Sequence, residues 1–198
     1  MMKMKESFEF ENISLDELMK IDYLKEEMQK IGGKKVFKIL KALEKIEDDE
    51  KIAKRLNMKV SDVRIILNKL YEEKIVNYER IKDKDTGWYY YIWKFSPSNI
   101  IHWFRRKMSS KINYLQSLIS LGDYYYCKKC SLDNPIKFEE AFDYRFVCPI
   151  HKKGLQHIND ELIEEKRQLL NKYESYIIKK INEKKNKEKK KRKKAKTK

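Results

Sequence analysis

The chain has three cysteines, Cys127, Cys130 and Cys148, and all lie within one short stretch, CKKCSLDNPIKFEEAFDYRFVCPIHK, residues 127–152. Two cysteines separated by two residues place both sulfurs on one side of a tight turn. A pair of such turns grips a soft, tetrahedral ion such as zinc. The second turn reads Cys148-Pro149-Ile150-His151, with an imidazole where the fourth sulfur would stand. Imidazole nitrogen is an ordinary zinc ligand, and three cysteines with one histidine form a common structural site. His157 competes for the fourth position, but His151 repeats the spacing of the first turn and is preferred. Cys127, Cys130, Cys148 and His151 are therefore the expected ligands of one structural Zn2+ per chain. Four protein ligands leave no position for a substrate, so a catalytic metal is not expected. The alternative is that the segment folds without metal. Between the turns, Ile136, Phe138, Phe142, Tyr144, Phe146 and Val147 are expected to form short strands with a thin apolar face. A module this small needs the free energy of metal binding to fold.

Of the 198 residues, 39% are charged and 41% apolar, which suits several small cores joined by solvated helices better than one large core. The net charge is +16, and the last twenty residues, KKINEKKNKEKKKRKKAKTK, carry thirteen Lys or Arg against two Glu. That tail is expected to be disordered from residue 183 onward. It would either bind nucleic acid non-specifically or serve as a solubilising end. No apolar run approaches the ~20 residues of a membrane span. The first residues, MMKMKESFEFEN, lack the apolar stretch of a signal peptide. Closely spaced cysteines suit an intracellular metal site rather than disulfides, so a cytoplasmic protein is expected.

The rest of the chain reads as mainly α with small β. Ser14 and Glu17 form a capping-box signature for a helix over 14–31, stopped by Gly32-Gly33. Further helices are expected over 34–46 and 48–57, and another capped by Ser61, with Val63, Ile66, Leu67, Leu70 and Tyr71 as its buried stripe. IVNYERI and WYYYIWKF then read as two strands around a turn ending at Gly87. Three helices followed by a hairpin give a winged helix-turn-helix over 1–96. A linking amphipathic helix follows over 97–122, then a zinc-ribbon module over 123–156. A trailing helix over 157–182 and the basic tail, 183–198, complete the chain. The two long helices each need an apolar partner, and pairing would satisfy both.

The outward positions of the expected recognition helix include Asp62, Arg64, Asn68, Lys69 and Glu72, whose charges cancel. Reading of duplex DNA through that helix is not expected. In the wing, Phe95 at the base should face inward together with Trp93, Tyr91 and Tyr89. Trp88, Tyr90 and Ile92 would then face outward, beside Arg80, Lys82 and Lys84. Aromatics among cations suit unstacked bases and their phosphates, which makes Arg80, Lys82, Lys84, Trp88 and Tyr90 candidate contacts to nucleic acid, and the same patch would also suit docking on a protein. The competing reading packs these rings on the wing itself. His102 is read as a surface or helix-contact residue. No Ser-His-Asp group, carboxylate pair or glycine-rich phosphate loop is apparent, so neither enzymatic activity nor a small-molecule substrate is expected.

Three blocks resemble a known family: DDEKIAKRLNMKVSDVRIILNKLYEEKIVNYER, then DKDTGWYYYIWKF, then FEEAFDYRFVCPIHKKGL around the second knuckle. Together they look like archaeal transcription factor E, the relative of the α subunit of general factor TFIIE, over about Ile31 to Leu162. The resemblance implies an N-terminal winged helix, a linking helix and a zinc ribbon. It implies a general initiation factor that assists the TATA-binding protein, the B-type initiation factor and RNA polymerase in opening promoters. It also implies a winged helix on the polymerase clamp near the non-template strand, and a ribbon by the stalk. A monomer without membrane attachment is expected. The family usually reads Cys-Pro-x-Cys-Gly at the second knuckle, where this chain has His151-Lys152. The alternative function is a DNA-binding transcriptional regulator built from the same two modules, and a third possibility is an adaptor that touches only protein.

Overall fold

Helix breaks and caps near the N-terminus set the first domain. The structure, a computed structural model, describes residues 13–196 apart from 46 and 131. The opening segment MMKMKESFEFEN, the last two tail residues and the expected end of the second helix at Ile46 lie outside the described residues. The chain divides into two compact units: one is Met1–Phe104 with Glu174–Lys198, the other Arg105–Tyr173.

In the first unit Ser14 caps α1 (Leu15–Leu18) through a full capping box with Glu17. The single helix expected over 14–31 is in fact two. Ile21 takes extended backbone, φ −89° and ψ 101°, and α2 (Asp22–Gly32) starts afresh after it. The break lets Ile21 join Leu15, Leu18, Leu24 and Met28 in the core, which an unbroken helix would spread too widely around its circumference. Then come α3 (Lys35–Leu43), β1 (Glu47–Asp48), α4 (Asp49–Leu56) and α5 (Val60–Glu72). Asp48 caps α4, its carboxylate accepting the Lys51 N–H at 2.7 Å. Ser61 does not cap α5. Lys59 holds that position without a side-chain bond, and its carbonyl accepts the N–H groups of Asp62 and Val63.

Strands β2 (Val76–Lys82) and β3 (Tyr89–Phe95) form the wing, paired from Val76↔Phe95 to Lys82↔Tyr89. Strand β1 lies on the other edge of β3 at Glu47↔Trp93 and Asp48↔Ile92, giving the order β1-β3-β2. Val36, Ile39, Leu40, Ile52, Leu67, Leu70 and Ile75 are enclosed beneath this sheet and its helices. Each such side chain contributes roughly 1.5–3 kcal/mol of burial. The first turns of α6 (Pro97–Leu121) add Ile100 and Trp103, whose buried indole donates to the Glu73 carboxylate at 2.7 Å.

In the second unit, β4 (Tyr124–Tyr126) is the middle of a three-stranded sheet with β5 (Ile136–Lys137) and β6 (Gln156–His157) at its edges. The segment expected to continue as strand beyond residue 137 is instead a short helix, α7 (Phe138–Asp143). Phe138 and Phe142 stand one helical turn apart and stack, with ring centroids 6.1 Å apart, an i,i+4 pairing that a strand would separate. The last helix, α8, runs Asp160–Lys196. It starts three residues later than expected, because His157 belongs to β6. It also continues through most of the lysine-rich segment that was expected to be disordered. Ile112, Leu115 and Leu118 of α6 share a core with Tyr126, Leu132, Ile158, Leu162 and Ile163, so the linking helix and the start of α8 pack together beside the ribbon sheet.

Candidate metal centre and wing surface

The two knuckles meet. The ligand atoms of Cys127, Cys130, Cys148 and His151 all lie within 4.8 Å of one another. His151 presents Nδ1, which is 3.1 Å from Cys130 Sγ and 3.8 Å from the sulfurs of Cys127 and Cys148. Cys130 and Cys148 sulfurs are 3.6 Å apart. A tetrahedral zinc, ~2.3 Å from sulfur and ~2.0 Å from nitrogen, would separate sulfur pairs by ~3.8 Å and sulfur from nitrogen by ~3.5 Å. The four residues therefore fit zinc in both donor type and spacing. His157 does not belong to the cluster; its Nε2 lies 3.1 Å from Asp123 Oδ1.

Backbone geometry builds each turn. The Cys130 N–H donates to the Cys127 carbonyl at 3.0 Å, and the Lys152 N–H to the Cys148 carbonyl at 2.9 Å. Lys152 takes a left-handed conformation, φ 52°, to close the second turn. The His151 N–H points at Cys148 Sγ, 3.4 Å away. That bond, helped by the Ile150 N–H, lowers the Cys148 thiol to about 6 against the opposing effect of desolvation. Desolvation and the two neighbouring thiols push Cys130 up to about 11. A cation among them would favour every thiolate. Phe138, Phe142, Phe146 and Tyr125 pack against one another in tilted, edge-to-face and stacked pairs. Phe142 and Ile150 nevertheless stay largely exposed, at 62% and 75%.

On the wing, Trp88 is 79% exposed at the tip and Trp93 only 4% exposed at the base. Trp93 faces inward as its register predicts. Tyr89 and Tyr91, expected inward as well, are exposed, and Ile92, expected outward, is half-buried. Beyond Trp93 the wing rings are only partly covered, Tyr89, Tyr90 and Tyr91 being 48%, 41% and 38% exposed. Arg80, Lys82, Lys84 and Tyr90 are all exposed near the tip, and the Arg80 guanidinium lies over the Tyr89 ring at 3.7 Å. The turn is held by Asp83, whose carboxylate accepts the N–H groups of Asp85 and Thr86 at 2.9 and 2.8 Å; these bonds lower its pKa. Gly87 supplies the positive φ of 73°.

The recognition helix is poorly suited to phosphate. Asp62 pairs with Lys35 at 3.3 Å, and Arg64 is bonded to Asp49 and 3.6 Å from Glu50. His102 is exposed on α6. Sequence reasoning did not find that Asp48, Asp49, Glu50 and Arg64 meet the wing tyrosines in one cleft. The only signal was the run of three acids before Lys51, which reads equally well as an ordinary helix start.

A winged helix with an aromatic wing, joined by a helix to a ribbon whose three cysteines and one histidine could hold a metal, is the architecture of a protein that binds the partners of transcription. A family model described as "TFIIE alpha subunit" matches residues 22–122, the winged helix and linking helix. Transcription factor E of Pyrococcus horikoshii is 36% identical over 151 residues, covering 73% of this chain and 78% of that protein. Transcription factor E of Thermococcus kodakarensis is 33% identical over 151 residues, covering 74% and 82%. The Methanocaldococcus jannaschii protein of the same name is 36% identical over 140 residues, covering 68% and 80%. This chain belongs to the TFIIE alpha family. The family consists of non-enzymatic transcription initiation factors, which work with DNA and the transcription machinery. Among the described residues no helix is long and apolar enough to cross a membrane.

Proposed function

We propose that this chain assists promoter opening by bridging RNA polymerase, the TATA-binding protein complex with its B-type initiation factor, and the melted DNA. In this reading the wing tip meets the non-template strand. Trp88 and Tyr90 stack on unpaired bases while Arg80, Lys82 and Lys84 neutralise phosphates. The observation that carries it is the exposure of Trp88, 79%, at the end of a hairpin whose neighbouring side chains are exposed cations. A tryptophan so placed contributes little to the fold and is free to stack. The ion pairs of Asp62 and Arg64 on the recognition helix support the same reading, because they weaken the usual route to duplex DNA. The winged helix would sit on the polymerase clamp, and the exposed rings of the ribbon suit docking by the stalk. One structural Zn2+ held by Cys127, Cys130, Cys148 and His151 would keep that ribbon folded. The protein would act as a monomer, in the cytoplasm, at the nucleoid.

The test is a reconstituted promoter-opening assay. Adding the chain should increase the open fraction most at weak promoters and low temperature. Trp88→Ala with Tyr90→Ala should lose most of that stimulation. Full stimulation by the double variant would refute the role of the wing.

A further inference from the structure

A cleft of about 600 Å³ lies between the start of α4, the outward face of α5 and the wing. Asp48, Asp49 and Glu50 line one side, and Arg64 is the single basic residue in the lining. Arg64 is bonded to Asp49 and lies near Glu50, while Glu50 itself stays 75% exposed. Asp48 is paired with Lys51 at 2.9 Å and Asp49 with Arg64, so the exposed Glu50 carboxylate supplies the excess negative charge of the cleft, on a chain whose net charge is +16. Phosphate is repelled from such a place and a cation drawn to it.

Acids at a helix start are by themselves unremarkable. What makes this cleft different is its opposite wall, where Tyr78, Tyr89 and Tyr91 stand exposed. Aromatic faces attract ammonium and guanidinium groups. The Arg80 guanidinium, 3.7 Å from the Tyr89 centroid, shows that attraction within the wing itself. Two further features point to a peptide rather than a lone cation. Strand β1 covers β3 only at Ile92 and Trp93, so among the described residues no strand lies on that edge along Tyr89–Tyr91. An open edge accepts an added strand. Trp93 also lines the cleft, and its buried Nε1 is the one buried side-chain polar atom without a partner among the described residues. An indole N–H needs an acceptor, and a peptide carbonyl is one.

We propose that this cleft docks an extended, arginine- or lysine-bearing segment of a partner protein. The segment lies along β3 beyond the end of β1, with its cationic side chain between the carboxylates and the tyrosines. The proposal deepens the reading of the chain as a factor that docks on a protein assembly. It assigns to a basic peptide the surface where many winged helices hold DNA.

The test uses the full chain with neither polymerase nor promoter, so it fails or succeeds independently of the opening assay. A fluorescent hexapeptide alternating valine and arginine is titrated by anisotropy and by NMR of the Trp93 indole. The same peptide with glutamate for arginine, and a thymidine single strand, are the comparisons. The arginine peptide should bind and move the Trp93 indole resonance, and the glutamate peptide should not. Asp48→Asn with Glu50→Gln should weaken the arginine peptide at least about tenfold. Asn still caps a helix, so the melting temperature should be nearly unchanged. Unchanged affinity in that variant, equal binding of the glutamate peptide, or stronger displacement of the indole signal by the thymidine strand would overturn the proposal. So would a large gain in peptide affinity when Lys189, Lys190 and Lys191 are replaced by serine, because the occupant would then be the chain's own tail.

Discussion

His151 stands where the spacing of the first knuckle would put a fourth sulfur, and the fit to a metal depends on one ring atom. Nδ1 rather than Nε2 faces the three sulfurs, as the short spacing after Cys148 requires. His151→Ala should lower zinc affinity at least about tenfold, since even partners outside the ligand set cost 10–100-fold. His157→Ala should leave affinity unchanged; zinc content per chain, measured against a competing chelator, checks both. Glu17 offers a different single-residue test. Burial alone would raise its pKa, but the Lys184 ammonium and the Ser14 N–H and hydroxyl overrule that and hold it at about 2 instead of 4.5. A carboxylate with a depressed folded pKa stabilises above the unfolded value, and that stability is lost as pH falls through the folded one. The melting advantage of the parent over Glu17→Gln should therefore be full above about pH 5 and shrink steadily toward pH 2.

At the scale of elements, close packing of α2 against its neighbours depends on a residue without a side chain. A Cβ at Gly32 would come within 2.9 Å of Val36 Cγ2 and 3.0 Å of Ile66 Cγ1. Gly32→Ala should force α2 away from α3 and α5 and cost roughly 1–3 kcal/mol, measured by urea unfolding. Serine 14, by contrast, is a local device. Ser14→Ala removes the acceptor for the Glu17 N–H and should cost about 1 kcal/mol. The wing shows why alternation alone did not predict burial. Register placed Trp93 correctly, but Tyr89 and Tyr91 on the same face are exposed, because burial needs a second layer and the helices end short of the tip.

Across the whole molecule, the two units are stabilised by different means. The first has an extensive apolar core, whereas the apolar cluster of the second lies mostly on α6 and α8 and takes in only Tyr126, Leu132 and Ile158 from the ribbon and its flank, with Ala141 enclosed nearer the candidate metal ligands. Chelation should therefore unfold the ribbon and spare the winged helix. Trp88, Trp93 and Trp103 all belong to the first unit. Tryptophan emission should stay constant on adding chelator while the amide resonances of 124–157 collapse toward random-coil positions. Loss of tryptophan signal at the same point would mean that the metal supports both units.

Much of this protein was legible from local patterns. The knuckle spacing picked out four side chains that converge, the order of helices and hairpin named the winged helix, and Gly87 marked the turn of the wing, because each depends on residues close together in the chain. The break at Ile21, the helix at Phe138 and the cap at Lys59 were not legible, since competition for a shared core and neighbouring carbonyls decided them. The acidic cleft was further out of reach. Asp48–Glu50, Arg64 and Tyr89–Tyr91 acquire a common chemistry only when three separate elements fold against one another. Metal geometry is encoded in short spacings, whereas surface recognition is encoded in which distant faces the packing leaves uncovered.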